Sequence, residues 1–451
     1  MNISIIEKKA KFIMGENANE RSISNMIKHI EGKSKIIYKF GIDADTIEKY
    51  EKVDLKSKSL KFNYGLSEIY EFTKKYTKNE SKDLEEILLI ALIVCGIRIR
   101  DDEALKNVRK ASSSYKAFER YLRVRGIINK KRLTVRIVPE KWGGYDSPIS
   151  TRFGLNRKDI YIENKKIGKL SGLSTSVTTK NLAYITKSIL NEYILNINPN
   201  QICMQDCKFC FKGYHHMTPE CKSSLIYLSP KQMCRYLQIE FSHIDFENIS
   251  EIAILTSRFA NVKQLLDYVR GFLSEMKIMT SGKFDPLKNK HQRIKISTHL
   301  LNSEDTMLEA KKIGIKRYIY PIEAFNSDVR KNLMTNSKLI ENKGDVTFDD
   351  IMKILEKASN IFGKENIEPV IVIGLDTYED TINNVRRLKN EGYTLLTRNI
   401  FRIYDNDQFD IYKMNLEEII AANEEINILF PLGYKQVVDL NDNKINMNYK
   451  I

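Results

Sequence analysis

Residues 187–430 read as an α/β unit built on a parallel sheet, and three observations predict it. Six short runs rich in β-branched and aromatic residues recur through this part of the chain. Each is followed by a stretch whose apolar positions recur at helical spacing. Two of those stretches open on a capping residue, Ser229 before Pro230 and Thr347, and others start at Asn261, Ser303-Glu304 and Asn415. Strands joined by helical crossovers pair in parallel. Six such units in series make a partial (β/α)6 barrel of the TIM type.

In chain order, strand one is Tyr193 to Ile197 and strand two Glu251 to Leu255. The helix after strand two carries Leu265, Leu266, Val269 and Phe272 on one side. Strand three is Arg293 to Ile296 and strand four Arg317 to Ile322. A helix at 347–362 leads to strand five, Pro369 to Ile373, and a helix at 377–390 stops before Gly392. Strand six is Leu395 to Ile403, with Arg398 and Arg402 on one side by alternation and Asn399 on the other.

The N-terminal part has another character. Residues 3–33, 64–80, Leu84 to Cys95 and 103–125 have helical spacing, so residues 1–126 are expected to form a mainly helical domain. The apolar run Ile87 to Ile99 belongs to a buried helix on this reading. The stretch 103–125 is basic, with Tyr115, Phe118 and Tyr121 interleaved. It either meets phosphates or an acidic peptide, or is a solvated face with its aromatics in the core. Residues 127–186 form a small β insert: Leu133 to Val138 alternates as a strand does, Trp142 to Tyr145 is a turn, and the segments around Asn164-Lys165 make a hairpin. Residues 431–451 are a tail.

Composition narrows the class. The chain of 451 residues has 73 Lys and Arg against 58 Asp and Glu, a formal charge of +15. That favours anionic partners, although a lysine-rich solvated surface gives the same number. No apolar run is long enough for a bilayer, and Met1 to Lys11 lacks the pattern of a signal peptide. Six cysteines, three of them in one motif, do not make a disulfide framework, so a reducing cytoplasm is expected.

That motif follows strand one. Cys203, Cys207 and Cys210 stand at C-x3-C-x2-C spacing, with Phe209 just before the last. Clustered thiolates suit soft metals. Three of them leave a fully ligated iron–sulfur cluster one ligand short. The residues alone also allow a zinc knuckle that borrows His215 or His216, in a nucleic-acid-binding protein.

The spacing resembles the radical S-adenosylmethionine (SAM) superfamily, whose cores are partial TIM barrels with the cysteines after the first strand. The resemblance covers roughly residues 190–430. It implies that Cys203, Cys207 and Cys210 hold a [4Fe-4S] cluster whose open iron chelates SAM, and that an electron then releases a 5′-deoxyadenosyl radical. It implies that Phe209 and the segment containing Ile373 lie near adenine. It places SAM contacts at Thr256, Ser257 and Arg258, where the family's usual Gly-Gly-Glu is replaced, and at Ser297, His299 and Glu323. Asp376 is expected to cap the following helix, and Arg330 to partner Glu323. The implied substrate is an anionic small molecule or nucleotide, with a ribosomal peptide or RNA as alternatives. The implied partner is an electron donor such as flavodoxin or ferredoxin. Cys95 is expected to be a buried small hydrophobe, Cys221 and Cys234 are too few for a second cluster, and Cys221 is either an inert thiol or a hydrogen-atom donor to a substrate radical.

Overall fold

A computed structural model describes residues 3–15, 17–32, 40–42, 87, 90, 91, 94, 97–99, 122–128, 131–139, 149–154, 157–162, 165–170, 182–187, 193–199, 203, 205, 207–210, 226–242, 244–255, 259–335, 342–401 and 411–431. Two sheets organise them.

The first sheet is a closed seven-stranded barrel. Its strands are β1 (Phe40–Ile42), β2 (Ile97–Ile99), β3 (Leu122–Ile128), β4 (Lys131–Pro139), β5 (Ile149–Gly154), β6 (Arg157–Ile162) and β7 (Lys165–Leu170). They neighbour one another in the order β1-β3-β4-β2-β5-β6-β7, and β7 pairs back onto β1. The expected hairpin is β6–β7, and the alternating run is β4. Two expectations change. Ile97–Ile99 leaves the apolar helix and becomes a strand, and Leu122 to Arg125 begin β3 rather than ending a helix. In both places β-branched residues alternate with arginine, a period of two that the longer helical window hid.

The second sheet has the order β14-β13-β12-β11-β10-β9-β8. The strands β9 (Tyr193–Ile197), β10 (Ile249–Leu255), β11 (Arg293–Ser297), β12 (Ile315–Glu323), β13 (Ile367–Ile373) and β14 (Thr397–Ile400) are parallel throughout. They form a half-barrel with helices around it, the expected partial TIM barrel. An added antiparallel strand, β8 (Ala183–Lys187), covers the outer edge of β9. An edge so covered does not offer itself to other chains.

Seven helices follow these strands: α3 (Pro230–Glu240), α4 (Val262–Met279), α5 (Glu304–Lys312), α6 (Ser327–Met334), α7 (Phe348–Phe362), α8 (Tyr378–Asn390) and α9 (Leu416–Leu429). The expected caps Ser229 and Thr347 form, and Asn261, Ser303, Thr377 and Asn415 also cap their helices: each of the six accepts a hydrogen bond from a first-turn amide. At the helix after strand five the cap is thus Thr377, not Asp376. Helix α7 shows how these helices hold the sheet. Phe348, Ile351, Leu355, Ala358, Ile361 and Phe362 are buried on one stripe, and Phe362 meets Tyr318 of β12. Each large apolar side chain buried this way contributes roughly 1.5–3 kcal/mol.

The N-terminal helices α1 (Ile3–Met14) and α2 (Glu20–Gly32) pack together, and α1 also lies against α3. Gln232 donates to the Met14 carbonyl at 2.7 Å, and the Arg235 guanidinium sits over the Phe12 ring. Ile87, Ile90, Ala91 and Val94 are helical and buried in the same apolar core, where a buried helix was expected. The expected helices at 64–80 and 103–121, the turn at 142–145 and the tail beyond Pro431 lie outside the described residues. No described helix is long and apolar enough to cross a membrane.

Candidate functional site at the carboxyl ends of the strands

Alternation along the parallel strands gives the sheet two faces. Ile294, Ile296, Tyr318 and Tyr320 lie on the face toward the helices. Arg293, Lys295, Ser297, Arg317 and Glu323 lie on the other, the inside of the half-barrel. Toward the amino ends of the strands that inner face is a charged network. Glu251 is fully buried and meets Arg293 at 2.8 Å and Arg317 at 3.0 Å. Glu368 meets Lys295 at 2.6 Å and Arg317 at 3.5 Å, and accepts from the Thr397 hydroxyl. Burial pushes the Glu368 carboxyl up, but Lys295 and Arg317 outweigh it and hold the group below its ordinary range. These charges are spent on one another and close the floor of the half-barrel.

The cysteine loop sits at the opposite end. Cys207 is buried, and Cys203 and Cys210 are half-buried. The Cys210 amide donates to the Cys207 carbonyl at 2.9 Å, closing a tight turn, and the Lys208 amide donates to the Leu333 carbonyl of α6 at 2.9 Å. Cys207 and Phe209 are buried with Ala324, Leu333, Met334, Leu375 and Phe401 in a small apolar cluster separate from the main core. Burial pushes the Cys207 thiol well above its usual value; the Lys343 ammonium works against this, and Glu323, Cys203 and Cys210 add to it. The other two cysteines and one ion pair thus act on Cys207, with the Arg330 guanidinium coupled to it as well.

Lys343 and Glu323 form that pair at 2.5 Å. Glu323 ends β12 with φ +66, a left-handed conformation uncommon for a non-glycine residue. Burial pulls the Lys343 ammonium down, yet Glu323 and the Cys207 thiolate outweigh it and hold it above its ordinary value. The expected partner, Arg330, is used otherwise. Its fully buried guanidinium donates to the carbonyls of Val346, Ile322, Ala324 and Lys343. Gln205, between the first two cysteines, ties the loop to two further elements. Its carbonyl oxygen accepts from the Lys343 amide at 3.4 Å, and its amide nitrogen lies 2.9 Å from His299 Nε2. In that arrangement the neutral imidazole carries its proton on Nδ1.

The remaining predicted positions are placed as follows. Ser297 ends β11, half-buried, and pairs with Ile319 of β12. Ile373 is fully buried in the main core, whereas its neighbours Val372 and Leu375 join the cluster around Cys207 and Phe209. Gly374 between them has φ +102, and an added Cβ would come within 3.2 Å of the Tyr412 ring. Asp376 accepts from the Phe325 and Asn326 amides at 2.6 and 3.1 Å, so it fastens the end of β12 rather than capping α8. Arg398 turns away from the inside: it donates to Asn423 and Asn427 of α9 at 3.2 and 3.1 Å. Burial pushes the Cys234 thiol up to about 12, which makes it unreactive. Thr256, Ser257, Arg258, His215, His216, Cys95, Cys221 and Arg402 lie outside the described residues.

Sequence reasoning missed Gln205 and Lys343. Gln205 could have been flagged by its place inside the motif. Lys343 is one of many lysines in a basic chain, and nothing local marks it.

The donor set suits an iron–sulfur cluster by its chemistry: three cysteines, soft thiolate donors, stand on one loop, with the Lys343 cation acting on the most buried of them.

Neither a family model nor a curated protein matches the chain. Solved structures match part of the chain. HydG, a maturase of the [FeFe]-hydrogenase, matches at 12% identity and TM-score 0.39, over 55% of this chain and 54% of that one. Methylornithine synthase (PylB) matches at 15% and 0.31, over 46% and 52%. Coproporphyrinogen III oxidase (HemN) from Escherichia coli, a radical SAM enzyme by its description, matches at 15% and 0.35, over 54% and 52%. The match spans about half the length of each of these proteins.

Proposed function

We propose that the chain is a radical SAM enzyme acting on an anionic small molecule or nucleotide. The observation that carries this is the C-x3-C-x2-C loop at the carboxyl end of the first parallel strand of a partial (β/α)6 barrel, with Cys207 buried against Phe209. Chemistry in such barrels sits at that end of the strands. On this reading Cys203, Cys207 and Cys210 hold a [4Fe-4S] cluster and Phe209 with Leu375 and Val372 forms an apolar wall for adenine. When bound, cluster and SAM supply a 5′-deoxyadenosyl radical for hydrogen abstraction, with the electron coming from a donor such as flavodoxin or ferredoxin. The chain's own residues hold and shield that chemistry. Gln205 fixes the loop, Lys343 favours the thiolate form of Cys207, and the apolar cluster excludes water. Ser297, His299 and Glu323 line the rim, where SAM or substrate would be met. The anionic substrate is supported by the chain's charge of +15. Cysteine usage favours a reducing compartment, the cytoplasm.

The test is anaerobic reconstitution with iron and sulfide. The protein should become brown, carry about four irons, and release 5′-deoxyadenosine from SAM under a low-potential reductant. Cys207→Ala should lose both. A colourless protein that binds one zinc instead would overturn the reading.

A further inference from the structure

The loop between α4 and β11 lies at the amino ends of the strands, the end of the half-barrel away from the cysteine loop. Among the described residues, the two most exposed large apolar side chains sit here, Ile278 at 72% and Leu287 at 67%. Single exposed apolar residues are ordinary and need no account. These two share one sector. Ile278 lies eight positions after Arg270, on the same side of α4, and Arg270 pairs with Glu309 of α5. Ile278 is therefore on the side of α4 that faces α5. Leu287 rests over Gly314, just past the end of α5, where an added Cβ would come within 3.3 Å of it.

The loop is braced from within, so these side chains are held out rather than left loose. Phe284 is buried, and its amide donates to the Thr280 hydroxyl at 3.1 Å. The Asp285 amide donates to Gln292 Oε1 at 2.8 Å, and Gln292 Nε2 donates to the Lys283 carbonyl at 3.0 Å. Lys316 Nζ donates to the Gln292 carbonyl at 2.9 Å. The charge around the apolar pair has one sign. Residues 277–291 carry four lysines, Lys277, Lys283, Lys288 and Lys290, all exposed, and one acid, Asp285. Asp285 serves the loop itself: its carboxylate accepts from the Leu287 and Lys288 amides at 3.1 and 3.3 Å and meets Lys277 at 3.4 Å. Lys283 reaches Glu247 at 3.5 Å, an exposed pair of small effect.

The make-up of this tip chooses among anionic partners. The cores of protein interfaces favour aromatic residues, methionine and arginine and are poor in lysine. Nucleic acid is gripped by arginine forks and stacked on aromatic rings. The large side chains exposed here are aliphatic ones and lysines, with His291 beside them and Phe284 turned inward. A lipid surface selects that pairing. Aliphatic side chains enter the acyl boundary, and lysine ammonium groups reach the anionic headgroups.

We infer that this basic, aliphatic tip docks the chain on an anionic lipid surface. The bilayer meets the amino ends of the strands, and the cysteine loop faces away from it. The inference does not depend on the reading of the cysteine loop, and its test needs neither cluster nor SAM.

The experiment is co-sedimentation of the full chain with sucrose-loaded vesicles of phosphatidylcholine and phosphatidylserine, about three to one, at several salt concentrations. The intact protein should bind these vesicles and lose binding as salt rises. It should bind pure phosphatidylcholine more weakly, by roughly tenfold or more. Lys288→Gln/Lys290→Gln should weaken binding by roughly 25-fold, about fivefold for each lysine, and flatten the salt dependence. Ile278→Ser/Leu287→Ser should weaken binding by roughly tenfold or more and keep the salt dependence. Leu287→Trp should shift its emission to the blue when vesicles are added, read against the wild type's single tryptophan, Trp142. All the changed positions are exposed, so these variants should fold, which circular dichroism checks. Absence of binding at low salt, unchanged affinity in either folded double variant, or no blue shift from Leu287→Trp would overturn the inference. Competition by polyglutamate or an oligonucleotide as strong as that by unloaded vesicles of the same lipid would also overturn it, in favour of an acidic protein or a nucleic acid.

Discussion

Lys343 and Glu323 meet at 2.5 Å across the end of β12, and both act on the buried thiol of Cys207. A metal-binding cysteine must lose its proton, and burial opposes that. Lys343 is the cation that acts most on Cys207, and the Arg330 guanidinium couples to it as well. Lys343→Met should therefore cut iron and acid-labile sulfide per chain after reconstitution by at least half, while Lys343→Arg keeps most of it. Equal metal content in the methionine variant would remove the lysine from the account of the site.

The floor network predicts a large stability effect far from the cysteines. Glu251 is fully buried and holds Arg293 and Arg317. Removing one member of a buried charge set leaves the others uncompensated, at about 3–5 kcal/mol. Glu251→Gln should lower the unfolding free energy from urea titration by that amount. A loss under about 1 kcal/mol would mean that water reaches the network and screens it.

Asp376 predicts a pH dependence. Burial raises its pKa to about 6, and the Phe325 and Asn326 amides only partly offset this. The folded state thus holds a proton that the unfolded chain, with a carboxyl near 3.8, has already released. Stability from this group is full below about pH 4 and declines as pH rises toward 6, by about 3 kcal/mol in all. Asp376→Asn should flatten that part of the stability–pH curve. An unchanged curve would show that the two amides, not burial, govern the carboxyl.

Helix α7 predicts a plain packing loss. Leu355 is fully buried against the sheet. Leu355→Ala should cost about 2–5 kcal/mol by thermal or chemical unfolding and leave the cysteine loop's metal content untouched. A coupled loss of iron would tie α7 to the loop more closely than its contacts imply.

How much of this was legible beforehand varied with the kind of signal. The parallel strands were readable because burial on both faces makes apolar runs, as in Ile252 to Ile254, and because caps such as Thr347 act locally. The cysteine loop was readable because its chemistry lies within eight residues. The first barrel was not, because its strands alternate too briefly. Ile97 to Ile99 carries one period of the pattern, and the apolar helix before it masked the change. The antiparallel cover strand β8 was missed, since Ala183 to Lys187 has no turn signal tying it to β9. Pairings across long separations were beyond reach. Lys343 joins Glu323 over twenty residues, and Arg398 faces α9 because Asn423 and Asn427 recur at helical spacing on its side.

Arg330 touches no cysteine, yet its four carbonyl acceptors span the tip of β12 and the segment carrying Lys343. Its fan of hydrogen bonds acts as a rivet through two layers of the rim. A variant screened by turnover alone would therefore score Arg330 among the reactive groups, although the damage would be mechanical: a lysine drifting out of range of its sulfur.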